Sequence, residues 1–303
     1  LQIQQRYNEY NHGKNIDFMN LISVSEFSLS AIKQEIQDKL AWYLGGQKTN
    51  KNIETFTQLI FPSLLMSLLS YCDQYITYYF RHCFYITPLR FSTKRYVVDN
   101  EFAVNQVAPS GKNLVNFIAS LSREELDELN SFLENTIQTR ISIKGTMHTE
   151  LQVEMKDNIA YNIVDVGYGY TQLLPIAVQL WVVARYQSEI ENTIVIEQPE
   201  VHLHPALQSN LAHLFVYTLE YAKRNKINVR FIIETHSGYL INRLGKYVYL
   251  NSTKGSVEPR MHKLSTDDIT IYLFNKSEGV TKLQSTKFDN DGAIIDWPIG
   301  FLD

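Results

Sequence analysis

The chain has 303 residues, which is enough for about two domains, and its 45% hydrophobic content can build a full core. Its formal net charge of −4 argues against a nucleic-acid interface spread over the whole surface, because such interfaces are strongly basic. The two cysteines, Cys72 and Cys83, fit neither a metal-site spacing nor a disulfide framework. Since we also see no signal peptide, we expect a cytoplasmic protein.

The first part of the chain is predicted to be a helical insertion over residues 17–84. Residues 28–44 repeat apolar side chains at helical spacing, and a helical pattern continues over 52–84. The longest apolar run, 59–72, is too short for a membrane span and predicts a buried helix, so we expect no membrane contact. We expect this insertion to serve packing rather than a specific binding role.

The middle of the chain alternates between strands and helices. Residues 83–86 have strand character, and Ser122 opens a capping box for a helix that extends to 135. Residues 141–143, 151–155 and 160–164 are predicted strands. The basic residues Arg90, Lys94 and Arg95 are either solvated or paired with local carboxylates, or they contact a phosphate or nucleic acid.

Two β-branched runs, 193–196 and 229–233, predict buried parallel strands, because a predicted helix over 207–225 lies between them. The first run ends at Glu197, and the second ends in Glu234-Thr235-His236. Ligands of open α/β sheets bind at the carboxyl ends of such strands. A carboxylate at that edge can hold Mg²⁺ directly or through water.

A glycine turn, Gly167-Tyr168-Gly169, precedes the apolar segment 173–183, which predicts a buried helix. A turn of this kind at a helix N-terminus offers backbone N–H groups to an anion. Because proline is tolerated only in the first helical turn, Pro175 places the predicted start of regular helix near Thr171 or Gln172.

The last part of the chain predicts a small β-rich extension. After a short helix over 239–244, residues 247–251, 269–274 and 280–284 have strand patterns. Residues 289–292 form a predicted turn, Asp-Asn-Asp-Gly.

The order of these pieces resembles the motif set of ABC-type ATPases. The spelling Glu-Gln-Pro-Glu-x-His-Leu-His-Pro over 197–205 is similar to prokaryotic RecF-like and OLD-like ATPases of the AAA group. The tail over 291–301, with its Trp-Pro-x-Gly-Phe spelling, resembles the C-terminal domain of one branch of predicted bacterial ATPases, as do residues 87–90 and Arg95-Tyr96. The resemblance covers roughly residue 85 to the end.

The resemblance implies a role for each motif. Residues 167–172 stand at the signature loop, residues 201–205 at the D-loop, and His236 at the switch histidine. Glu197 and Gln198 stand at the Walker B acidic pair, with Glu197 as the Mg²⁺-side carboxylate. The implied catalytic residues are Glu197, Gln198, Glu200 and His236, and the implied ATP-binding residues are Gly167, Tyr168, Gly169, Thr171, Gln172 and His204.

Two departures from the family pattern stand out. No P-loop, Gly-x-x-x-x-Gly-Lys-[Ser/Thr], occurs in the sequence, so we expect this chain to lack the P-loop lobe, whether by truncation, by disorder or because another polypeptide supplies it. Gln198 stands where many relatives carry the glutamate that polarises the attacking water. Because an amide cannot accept a proton as a carboxylate does, either turnover is slow or Glu200 or His236 takes that role.

The predicted fold is therefore α/β: an ABC-ATPase-like core with a parallel sheet over residues 85–246, a helical N-terminal part over 1–84 and a C-terminal extension over 247–303. The predicted function is an ATPase that works as a nucleotide-gated clamp, a homodimer or higher oligomer using ATP and Mg²⁺. The resemblance implies a role in DNA repair or phage defence, with a nuclease partner and DNA.

Two alternatives stay open at this point. One is a non-catalytic interaction module that keeps the ATPase fold, which the missing P-loop and Gln198 favour. The other is a metal-dependent hydrolase, whose candidate ligands are Glu197, Glu200, His202, His204 and His236. Histidines at alternate positions of a strand point to opposite faces, which weakens the second alternative.

Overall fold

The computed structural model describes residues 50–88, 94–98, 106–145, 148–155, 159–185, 191–252, 264–277 and 279–296. The chain divides into two compact units, Leu1–Tyr78 and Tyr79–Asp303. The predicted helix over 28–44, the basic residue Arg90 and the Trp-Pro-x-Gly-Phe part of the tail lie outside the described residues.

A single long helix, α1 (Asn50–Arg81), confirms the helical pattern predicted from residue 52 onwards. The expectation that the run 59–72 is buried is wrong for most of the side chains described there. Met66 is 66% exposed and Leu69 is 52% exposed. An apolar run buries its side chains only where another element packs against it, and here these side chains lie in solvent. None of the described helices combines the length and the hydropathy that a membrane crossing needs.

The second unit contains a parallel sheet, an antiparallel sheet, a C-terminal hairpin and the helices between them. In chain order its elements are β1 (Cys83–Ile86), β2 (Val97–Val98), α2 (Leu114–Ala119), α3 (Arg123–Ile137), β3 (Arg140–Lys144), β4 (His148–Glu154), β5 (Ala160–Asn162), α4 (Tyr168–Val183), β6 (Asn192–Glu197), α5 (Pro205–Arg224), β7 (Val229–Glu234), α6 (Gly238–Ser252), a short 3-10 helix (Thr266–Asp268), β8 (Ile271–Ser277) and β9 (Val280–Thr286).

The parallel sheet has the strand order β1-β6-β7. The two predicted strands are direct neighbours, with Ile196 opposite Ile233 and Glu197 opposite Glu234, and α5 connects them. The strand–helix–strand unit and the α/β fold class predicted from the sequence are confirmed.

The two faces of this sheet differ in burial. Ile86, Ile194 and Ile196 are at most 1% exposed on one face, whereas Tyr85 is 40% and Ile232 is 54% exposed on the other. Parallel strands are usually covered on both faces. The expectation of strands buried throughout is therefore wrong, since in the described part of the chain one face of the sheet stays partly open.

Helix α4 begins at Tyr168, earlier than Pro175 predicts, and so carries this proline in its interior. An interior proline costs roughly 3 kcal/mol because it removes a backbone hydrogen bond and crowds the preceding turn. Each fully buried apolar side chain of the segment contributes about 1.5–3 kcal/mol, and Leu173, Leu174 and Ile176 are at most 1% exposed. Packing therefore outweighs the local penalty, which is why the rule on proline fails here.

The predicted capping box of α3 is present: the Ser122 side chain accepts from the Glu125 backbone N–H, and the Glu125 carboxylate accepts from the Ser122 N–H. The predicted strands that follow are β3, β4 and β5, which pair antiparallel, with β2 added beside β4. Strand β5 ends at Asn162, sooner than predicted, because the chain turns there and the Asp165 N–H donates to the Asn162 carbonyl.

Helix α6 continues to Ser252, so the predicted strand over 247–251 is wrong. Aromatic and β-branched residues suggested a strand, but the buried residues Leu240, Ile241, Tyr247 and Val248 recur at helical spacing, and their packing decides the conformation. The two predicted strands further on are confirmed as the antiparallel pair β8–β9. The predicted turn is also present, with the Gly292 N–H donating to the Asp289 carbonyl.

Helix α6 and this turn approach each other closely at two glycines. A Cβ atom added to Gly245 would lie 2.2 Å from the Gly292 carbonyl oxygen, and one added to Gly292 would lie 2.1 Å from the Gly245 carbonyl oxygen. Only glycine fits at either position, because the opposing atoms belong to the backbone.

Candidate functional site

The carboxyl ends of β6 and β7 bring two carboxylates side by side. Glu197 and Glu234 occupy register positions of neighbouring strands, and the Gln198 N–H donates to the Glu234 carbonyl at 2.9 Å. On β1 the Tyr85 hydroxyl donates a hydrogen bond to the Glu197 carboxylate, which raises the pKa of Tyr85; burial and the negative charges of Glu197 and Glu234 raise it further. Paired like charges at a sheet edge favour a bound cation.

The loop after β6 is held in an unusual backbone conformation. Gln198 has a φ of 41° and His202 a φ of 64°, which are left-handed values that cost side chains other than glycine on the order of 1 kcal/mol or more. Two successive turns shape the loop, since the Val201 N–H donates to the Gln198 carbonyl and the Leu203 N–H to the Glu200 carbonyl. Sequence reasoning identified Gln198 by its position but had no signal for this strain.

Glu200 is joined to the loop that follows β7. Glu200 is 9% exposed. One of its carboxylate oxygens accepts from the His236 backbone N–H at 2.7 Å, and the other accepts from the Thr235 hydroxyl at 2.8 Å. The His236 side chain is exposed. The structure thus brings Glu197, Gln198, Glu200 and His236 to one edge of the sheet.

His204 is the N-cap of α5. Its Nδ1 accepts from the Ala206 N–H at 3.3 Å, and Pro205 follows in the first helical position. Ser, Thr, Asp and Asn are the preferred N-cap residues, and His204 supplies a ring nitrogen in their place. The predicted contact of His204 with nucleotide stays a prediction.

The glycine turn lies beside the loop after β6. The rings of Tyr168 and His202 meet edge to face, with their centroids 5.2 Å apart. A Cβ atom on Gly169 would lie 3.0 Å from the Leu207 Cδ1, so the lack of a side chain lets the start of α4 approach α5. The predicted signature and D-loop segments are therefore neighbours within one chain.

The predicted signature segment, residues 167–172, contains an exposed pair and a buried pair of residues. Gly167 is exposed, with a φ of 102° that favours glycine, and Tyr168 is 51% exposed. Thr171 is 5% exposed and donates to the Tyr168 carbonyl, while Gln172 is 1% exposed and its Nε2 has no hydrogen-bond partner. Within this segment, Gly167 and Tyr168 are thus the predicted ATP contacts that solvent reaches most readily.

An ion pair lies at the approach to this turn. The Arg95 guanidinium donates to both Asp165 carboxylate oxygens, at 2.9 and 2.5 Å, and the Asn162 side-chain amide donates to the Arg95 carbonyl. Arg95 therefore pairs with a carboxylate, as one interpretation of the sequence held, although that carboxylate is not local in the sequence. No sequence signal connected these residues, which lie 70 positions apart.

The donor set fits Mg²⁺ better than a protein-held metal centre. Among the residues with described placement, no group of three or more His, Cys, Asp or Glu side chains could hold a metal ion. Glu200 is occupied by the next loop and His204 by its helix, so the metal-dependent hydrolase gains no geometric support. Mg²⁺ bound with nucleotide needs only one or two protein carboxylates. Glu197 and the neighbouring Glu234 can provide them.

Residues 7–241 match the family described as AAA ATPase domain. The chain belongs to this family. Among curated proteins none matches the chain. Membership of the AAA ATPase family thus agrees with the ATPase class that the order of motifs indicates.

Two solved structures show a distant likeness to this AAA ATPase chain. One, from a study of ATP-driven dimerization and DNA-stimulated activation of SMC ATPases, is 12% identical, with a TM-score of 0.34, over 54% of this chain and 85% of that one. The other is the Smc head domain with a coiled coil and joint from Pyrococcus yayanosii, 11% identical, with a TM-score of 0.36, over 96% of this chain and 46% of that one. The α/β fold class of this chain is shown by its own sheet topology, described above.

Proposed function

We propose that the complete protein is an ABC-type ATPase that hydrolyses ATP slowly with Mg²⁺. The observation that carries this proposal is the meeting of Glu197, Gln198 and His236 at the carboxyl edge of the parallel sheet in a chain of the AAA ATPase family. A nucleotide phosphate and its cation bind at this edge in open α/β sheets.

Each residue has a role that follows from its chemistry and position. Glu197 would hold the cation through its carboxylate oxygens, next to the Tyr85 hydroxyl, whose pKa this carboxylate raises. Mg²⁺, when bound, offsets the phosphate charge. The Gln198 amide hydrogen-bonds a water without taking its proton, so turnover is slow. The exposed imidazole of His236 contacts the terminal phosphate.

We further propose that two copies bind nucleotide between them. The exposed Gly167 and Tyr168 present the free N–H groups of a helix N-terminus, which favour an anion. In the family pattern this turn faces the P-loop of the other copy. The OLD-like or RecF-like assignment, the DNA repair or phage-defence role, the nuclease partner and the DNA belong to this proposal through the motif spelling alone.

The test is ATP hydrolysis and ATP binding by the complete protein. Glu197→Gln removes the charge that holds the cation, so hydrolysis should fall about 10²-fold or more, because electrostatic contributions of this kind have that size. His236→Ala should lower hydrolysis with less effect on ATP affinity. Glu124→Gln, on the exposed side of α3, is the matched control and should change neither.

The outcome also separates the second candidate function. Gln198, which lacks basicity, favours a non-catalytic interaction module that retains the fold. If the complete protein and all three variants show the same absence of hydrolysis above background, the ATPase proposal is wrong and the interaction module replaces it.

A further inference from the structure

Five hydrogen bonds form a chain that connects the loop after β6 with the loop after β7. The Glu200 carboxylate accepts from Thr235 and from the His236 N–H, and the Thr235 hydroxyl oxygen accepts from the Ser237 N–H at 3.0 Å. The Ser237 hydroxyl donates to the Gln208 Oε1 at 2.7 Å, and the Gln208 amide donates to the Leu203 carbonyl at 3.0 Å. The chain of bonds thus returns to the loop in which it begins.

We infer that Glu200 is a positioning residue that fixes the backbone of His236, and not a metal ligand or a general base. This inference rests on the proposed function only in the role given to His236. Both oxygens of Glu200 have donors from the protein, and the residue is 9% exposed. Little of the carboxylate is left for a cation or a water.

The two loops consequently behave as one piece. His236 has a fixed backbone and an exposed imidazole, so its side chain projects from a rigid support. Preorganised support of this kind is what a residue needs to meet a phosphate in one geometry. Because the His202 and His204 segment follows Glu200 directly, a displacement of that segment moves the support of His236 as well.

Substitution by glutamine separates positioning from chemistry. In Glu200→Gln the side-chain oxygen can still accept from the His236 N–H, and the amide can donate to the Thr235 hydroxyl oxygen, so the connection is kept. A metal-binding or proton-accepting role would be lost. Glu200→Ala removes the connection, and Thr235→Val removes one of its two bonds with little change in shape.

The experiment measures amide hydrogen exchange over residues 229–240 and steady-state ATP hydrolysis on the complete protein. Glu200→Ala should speed exchange of the His236 amide by about tenfold or more, because it loses a charge-assisted hydrogen bond, and should lower kcat more than it changes KM. Thr235→Val should change both in the same direction by less. Glu200→Gln should stay close to the unsubstituted protein in both, and Glu124→Ala serves as the control.

Three outcomes are decisive. Loss of hydrolysis in Glu200→Gln with unchanged protection of the His236 amide would assign chemistry to the carboxylate and overturn the inference. Unchanged exchange in Glu200→Ala would overturn it as well. Amide exchange can follow the expected order while neither the unsubstituted protein nor any variant hydrolyses ATP. In that case the positioning role stands and only the proposed function fails.

Discussion

The loops after β6 and β7 and the glycine turn at the start of α4 differ in how their polar groups are satisfied. In the two loops the Glu200 carboxylate and the Thr235 hydroxyl bond within the chain, and so does the Gln208 amide on the adjoining helix α5. In the glycine turn, Gly167 and Tyr168 face solvent, and one turn further along α4 the Gln172 amide nitrogen is buried without a partner. A buried polar group of this kind costs about 1–3 kcal/mol.

The strand-end region holds its own geometry, whereas the glycine turn does not. The strand-end loops hold their conformation through contacts between segments of one chain. The glycine turn offers donors outward, which is the arrangement expected of a surface that meets a ligand or another copy. In the strand-end loops, substitutions that alter side-chain contacts should therefore have the larger effects. In the glycine turn, substitutions that alter the backbone should have them.

The largest expected effect is on ATP turnover, and it is expected at Gln198 in the loop after β6. Gln198→Glu supplies the missing base, so ATP turnover by the complete protein should rise by about 10²–10⁴-fold where the site admits a water. Gln138→Glu is the matched control, because Gln138 also has a left-handed φ, of 55°, and is exposed. An unchanged rate in Gln198→Glu would mean that the missing base does not limit turnover. It would therefore contradict the role proposed for Gln198.

A second, smaller effect is expected at the glycine turn. Gly167→Ala should lower the free energy of unfolding by about 1–2 kcal/mol, because its φ of 102° strains any side chain although space is open around it. Gly169→Ala should change it by less than about 1 kcal/mol, because higher helix propensity offsets contact with the mobile end of Leu207. Urea denaturation of both variants measures the difference, and equal effects would refute the distinction between strain and space.

The smallest effect is expected for the ion pair that leads into the turn. A double-mutant cycle on Arg95 and Asp165 should give a coupling below about 1 kcal/mol, since the two side chains are 47% and 46% exposed. Arg140 and Glu134, at 44% and 45% exposure, form the matched pair and should give a similar value. A coupling above about 2 kcal/mol for Arg95 and Asp165 alone would mean that the pair holds the glycine turn in place.

Sequence patterns predicted the strand-end region well because its signals are local. The β-branched runs of β6 and β7, the polar residues at their ends and the helix between them are all visible within one stretch of sequence. The capping box of α3 was equally local, and it is present.

The errors have a common physical cause in tertiary packing. Helix α6 was predicted to end before Tyr247, yet burial of Tyr247 and Val248 extends it. The bond from the His236 N–H to Glu200 spans 36 positions and the Arg95 pair spans 70, so neither has a local pattern to reveal it. The early start of α4 shows the same effect, since burial there outweighs an interior proline.

The contact between Gly245 and Gly292 restricts how the end of this chain can change over evolution. At an ordinary crowded contact, a larger residue on one side can be accommodated by a smaller one opposite. Here both partners already have no side chain, and each would strike the other's backbone carbonyl. No compensating substitution therefore exists, and descendants of this sequence can exchange either glycine only by moving the turn away from α6.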